Sequence, residues 1–120
     1  MSWKGIYDED SFVAPLRKRR AELNQALRQA QDRDAAAEVL AAIEELRRFV
    51  DAIKNVDGPS EALVPIPGEE NLFRLRVDRW DAYFLLHPPA QAYYGMLVEH
   101  PDLPVVRRLD ELLPRSRGAT

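Results

Sequence analysis

The stretch LFRLRVDRWDAYFLLH, residues 72–87, concentrates side chains that can do chemistry. Arg74, Arg76 and Arg79 offer cations, Asp81 a carboxylate and His87 an imidazole, all set among aromatic residues. A second imidazole, His100, closes the next strand-like run. Arginines hold phosphates and carboxylates, and a carboxylate paired with a histidine can move a proton, with Asp81 as base and His100 or His87 as acid. Two readings stand open here. The stretch is either a hairpin that handles nucleic acid or the middle of a small sheet with ordinary charged edges.

Each of these residues also has a plainer role. Arg74 and Arg76 on an exposed sheet face can pair with Asp78, Glu69 or Glu70. His87 precedes Pro88-Pro89 in a turn, and His100 precedes Pro101. Tyr83, Tyr93 and Tyr94 can stack on bases or pack across strands. Two histidines without a third ligand at a recognisable spacing make no metal site. No Gly-rich phosphate loop or nucleophile elbow is present, so no cofactor is expected.

These residues have to be positioned by a fold that periodicity can outline. WKGIY at 3–7 reads as an opening strand. Carboxylates at 8–10 then lead into a helix, with Asp10 or Ser11 as the expected N-cap and Pro15 in the first turn. Phe12, Leu16, Leu23, Leu27 and Ala30 share one face of it. The basic run RKRR at 17–20 falls on its solvated side. A second helix follows the polar DRD at 32–34. Its Ala36, Val39, Ile43, Leu46, Val50 and Ile53 recur at three- and four-residue spacing. The short polar link makes the two an antiparallel hairpin.

DGPSE ends that helix, and ALVPIPGEEN is a proline-broken connection that cannot be a central strand. Asn71–Val77, Trp80–His87 and Gln91–Val98 read as a three-strand meander. Alternation along the first of these sets Phe73, Leu75 and Val77 on one face and Leu72, Arg74 and Arg76 on the other. The first set should meet the helices, which leaves the arginine face as the candidate working surface. Val105–Leu113 reads as a short amphipathic helix. The expected organisation is one α+β domain over residues 1–113, with 114–120 a flexible tail.

Composition limits the function. At 120 residues the chain makes one domain with a real core. A hydrophobic share of 46% beside 31% charged residues excludes a disordered chain. No apolar run reaches the roughly 18 residues that span a bilayer, and the acidic start has no signal-peptide pattern. A cytoplasmic location is the expectation. The absence of cysteine excludes disulfides and thiolate chemistry. A net charge of −3 argues against a dedicated nucleic-acid binder, whose affinity rests on a basic excess.

In element order and local motifs the chain resembles the RelE/ParE superfamily of small bacterial toxins from type II toxin–antitoxin systems. WKGIYDEDSFVAPLRK resembles the family's opening strand and helix start. PGEENLFRLRVDRWDAYFLL resembles its central hairpin, and AYYGMLVEHPD its last strand. The resemblance implies a toxin neutralised by a cognate antitoxin. Its target would be ribosome-bound mRNA, cut without a metal, or DNA gyrase as in the ParE branch. It is also compatible with a catalytically inert binding or regulatory module, including a phage or plasmid protein that kept only the scaffold.

Carried over residue by residue, the family's RNA-binding basic pair falls on Arg74 and Arg76. The arginine that stabilises charge at the scissile phosphate falls on Asp81, which reverses its sign. The terminal histidine falls on His100, but the arginine expected after it is Pro101, and a tyrosine found in some members falls near Val105. A phosphorane gathers negative charge in the transition state and needs cations aimed at it. An aspartate at that point repels it.

Overall fold

The computed structural model describes residues 3–104 and Leu109. Within it the chain forms strand β1 (Lys4–Tyr7), helices α1 (Ala14–Gln29) and α2 (Arg33–Lys54), and strands β2 (Val64–Pro65), β3 (Leu72–Val77), β4 (Trp80–His87) and β5 (Ala92–Glu99). The architecture is α+β, as expected, with the helix hairpin on one face of the sheet. The expected helix over Val105–Leu113 and the 114–120 tail lie outside the described residues, apart from Leu109.

The expected meander β3-β4-β5 is extended by β1 and β2 into a five-stranded sheet, in the order β1-β5-β4-β3-β2. β5 pairs antiparallel with β4 and parallel with β1, which brings Lys4 opposite Ala92. The proline-broken connection contributes only the two-residue edge β2, opposite Phe73 and Arg74. An edge is where a proline without an N–H is tolerated. The β3–β4 connection has no glycine, so Asp78 itself takes the left-handed conformation at φ 55°; aspartate is among the residues that accept it.

The start of the helical region differs from the expectation. Asp8 is the cap, accepting the Ser11 N–H at 2.8 Å, and residues Glu9–Val13 form a π-helical turn before α1. Pro15 has no N–H to give the Ser11 carbonyl, so a regular ladder cannot pass this point. The wider turn puts Ser11 and Phe12 in the interior, where the Ser11 hydroxyl lies within hydrogen-bond reach of both Asp8 and the Met96 carbonyl. Asp32 caps α2 through the Ala35 N–H at 2.8 Å.

Strand alternation sorts the sheet into two apolar groups. Along β4, Trp80, Ala82, Phe84 and Leu86 all point inward and are buried. They join Leu75, Leu46, Phe49 and Ile53 in the main core, with Phe73 and Val77 packed against it. Trp80 stacks on Phe49 with ring centroids 5.0 Å apart. On the other face Leu72, Met96 and Leu97 form a smaller group with Tyr83, Leu85 and Leu109. Arg74 and Arg76 stand on that second face, as alternation requires.

Candidate functional site

The β3–β4 turn, the end of β5 and the turn after it enclose a cleft of about 430 Å3. Of the residues expected to do chemistry, Arg76, Arg79, Asp81 and His100 line it, joined by Glu99; Arg74 is not among its lining residues. His87 is exposed at the far end of β4 and contributes nothing here.

Arg76 and Asp81 are direct cross-strand partners on β3 and β4. Their guanidinium and carboxylate form a two-pronged pair, Nε to Oδ1 at 2.8 Å and Nη2 to Oδ2 at 3.0 Å. Both prongs of the fork are filled, the strongest geometry an arginine has. The pair raises the Arg76 pKa, and its hydrogen bonds to Asp81 are the main cause. The expected partners Asp78, Glu69 and Glu70 form no ion pair with it; Asp78 pairs instead with Arg48 on α2, at 2.9 Å.

Arg74 is different. Among the described residues no ion pair reaches it, and its Nε is buried without a hydrogen-bond partner. It faces Tyr83 across the strands. Burial, together with a 3.0 Å hydrogen bond donated to Glu99, pushes the Tyr83 hydroxyl up to about 12.

The least expected residue is Glu45, in the middle of α2. Its side chain is only 9% exposed. It accepts hydrogen bonds from the Arg79 backbone N–H at 3.2 Å and from Nε and Nη2 at 3.0 Å each. These bonds from Arg79 hold its carboxyl at about 2, against the opposing pull of burial, and His100 adds to the effect.

His100 is buried beside it, its Nε2 3.2 Å from Glu45 Oε1. Nδ1 accepts the Asp102 backbone N–H at 3.1 Å. This network assigns the ring proton to Nε2, because the nitrogen that meets an N–H must be the acceptor. The ring also packs on Trp80 with centroids 4.5 Å apart. Asp102 reaches Arg19 at 3.5 Å and Arg79 at 3.7 Å, tying the turn after β5 to α1 and to the hairpin.

The cleft therefore brings Arg76, Asp81 and His100 together, without Arg74 or His87, and uses their charges internally. Arg76 is spent on Asp81 and Arg79 on Glu45, and both ring nitrogens of His100 are engaged. The sequence held one local sign of Glu45: with Ala42 and Phe49 it forms a three- and four-residue spacing on the core side of α2. Its partners lie 34 and 55 residues away, so nothing nearby marked it as paired. Among the described residues no group of three metal-ligating side chains occurs. No helix among them is long and apolar enough to cross a membrane.

No family model matches the chain, and no curated protein matches it. Solved structures do. The isolated RelE toxin of E. coli aligns over 88% of this chain and 90% of its own, at 9% identity and a TM-score of 0.46. The archaeal RelE–RelB complex from Pyrococcus horikoshii gives 87% and 100%, at 11% identity and 0.43. For the toxin–antitoxin complex RelBE2 of Mycobacterium tuberculosis the shares are 83% and 92%, at 14% identity and 0.42. RelE toxins, alone or with their antitoxins, are what this chain is similar to.

Proposed function

We propose that the chain is the toxin-type component of a toxin–antitoxin pair, held by a cognate antitoxin, and that it acts by binding a protein target rather than by cutting mRNA. DNA gyrase is the target that the sequence resemblance offers for such a member. The element order, strand then helix hairpin then antiparallel strands with β1 returning to β5, supports the scaffold.

The observation that carries the rest is the filled fork between Arg76 and Asp81. A ribonuclease using the RNA's own 2′-hydroxyl needs cations free to meet a developing phosphorane. Here the cation nearest that role is neutralised by the residue that replaces its expected helper. Asp81 as general base fares no better, since both its oxygens already accept from Arg76. His100, buried and bonded through both ring nitrogens, is poorly placed to give up a proton to a substrate.

Induction of the chain alone in a bacterial host tests this reading. The expected result is growth arrest relieved by co-expression of a small neighbouring reading frame, with purified protein leaving mRNA intact and slowing gyrase supercoiling. Cleavage of mRNA by the wild-type chain overturns the protein-target reading. Harmless induction with no rescuing frame leaves an inert binding module instead.

A further inference from the structure

A phosphate-binding cleft has spare positive charge; this one has spare negative charge. Of the charged groups lining it, Arg76 is matched by Asp81, Arg79 by Glu45 and Asp78 by Arg48. Glu99 is left. Tyr83 donates a hydrogen bond to its Oε1 at 3.0 Å, but among the described residues no cation lies within ion-pair distance of it. Asp81 stands directly opposite Glu99 on β4, so the two carboxylates share one row of the sheet with a single guanidinium. Like charges in direct cross-strand register repel, and a second cation arriving from outside relieves that repulsion. Beside Ser11 and His100, the rest of the wall is apolar, including Pro15, Leu97, Leu103 and Pro104.

We infer that this cleft receives a basic side chain, an arginine or lysine flanked by apolar residues, from an extended segment of a partner protein, and that Glu99 is the residue that selects it. The inference deepens the protein-binding reading above and rests on it. An arginine entering here finds the Glu99 carboxylate for its guanidinium and proline and leucine side chains for its neighbours. Among the described residues that line the cleft, a phosphate meets two carboxylates and only guanidiniums that are already paired. A partner segment of this chemistry is thus favoured, and a nucleic-acid strand is rejected by charge.

The test is a nuclear magnetic resonance titration of the isotopically labelled full chain with three probes: acetyl-Leu-Arg-Leu-amide, its citrulline counterpart, and a ribo-trinucleotide. The arginine peptide should shift the amides of Leu97, Glu99 and Leu103 saturably. The citrulline peptide, same shape without the charge, should bind about tenfold more weakly, the scale of one charge-assisted contact. Glu99→Gln should bring the arginine peptide down to the citrulline level.

Equal binding of the two peptides, absence of shifts at the cleft, or shifts there from the trinucleotide overturns the inference. The peptide comparison needs no variant, so it stands even if Glu99→Gln fails to fold. Binding by an Arg107→Gln/Arg108→Gln chain but not by the wild type would assign the cleft to the chain's own C-terminal segment and overturn the partner assignment. Growth arrest with rescue in the absence of peptide binding leaves the toxin reading standing and removes this one alone.

Discussion

Glu45 and Arg79 join the helix hairpin to the β-hairpin through one carboxylate, which accepts from the backbone N–H, Nε and Nη2 of the same arginine. A carboxyl held at about 2 against an ordinary 4.5 stays ionised in the folded chain while the unfolded chain takes up its proton. Its contribution to stability is therefore complete above about pH 4.5 and is lost as pH falls towards about 2. Glu45→Gln should cost about 2 kcal/mol at neutral pH, the range of charge-assisted hydrogen bonds. It should also flatten the acid limb of stability measured by urea titration between those two pH values. An unchanged acid limb means that other carboxylates govern it.

Asp81 keeps Arg76 from other anions. Asp81→Asn should release that guanidinium and raise the affinity for a single-stranded RNA oligonucleotide. The slope of log affinity against log salt should steepen by roughly 0.7, one phosphate contact's worth on a single strand. Fluorescence anisotropy over a salt series reads both quantities. A variant no better than wild type at RNA binding places Arg76 outside the reach of a strand.

Phe49 is fully buried and stacks on Trp80, with ring planes 18° apart. Phe49→Ala should cost about 3–5 kcal/mol through lost burial and the cavity left behind. Equilibrium unfolding followed by tryptophan fluorescence measures it, and the denaturant slope should stay constant.

Gly95 lies where β5 shifts register against Tyr83 and Phe84. A Cβ there would sit 2.6 Å from a Tyr7 ring carbon and 2.9 Å from one of Phe12. Gly95→Ala should cost about 1–3 kcal/mol, the range for overpacking a tight site. Thermal unfolding of that variant, alone and combined with Tyr7→Ala, separates the clash from other causes. The second change should recover part of the loss only if Tyr7 is what the methyl strikes.

Alternation in β3 revealed in sequence which face Arg74 and Arg76 occupy, because a two-residue period leaves little choice once one face must meet the helices. Spacing in α2 likewise revealed Leu46 and Ile53. What alternation cannot carry is pairing between strands. Asp78, Glu69 and Glu70 are the partners that nearness in sequence suggests for Arg76, whereas register across the turn sets Asp81 opposite it. That Asp81 stands where the sequence resemblance implies an arginine is legible in the sequence. That the aspartate turns its charge onto Arg76 is a property of register. The helix start differs from the expectation for a local reason, since Pro15 allows a wide turn as readily as a first turn and packing of Phe12 decides between them.

The parallel pairing of β1 with β5 has a consequence for how the chain is made. Lys4 is translated long before its partner Ala92. The helix hairpin and the β3–β4 hairpin are local and can form early, while β1 waits with its ladder unfilled until β5 has left the ribosome. A chain released before that point exposes unpaired edges on both β1 and β4, the strands that β5 separates. Early termination therefore leaves a chain with the open edges that favour aggregation.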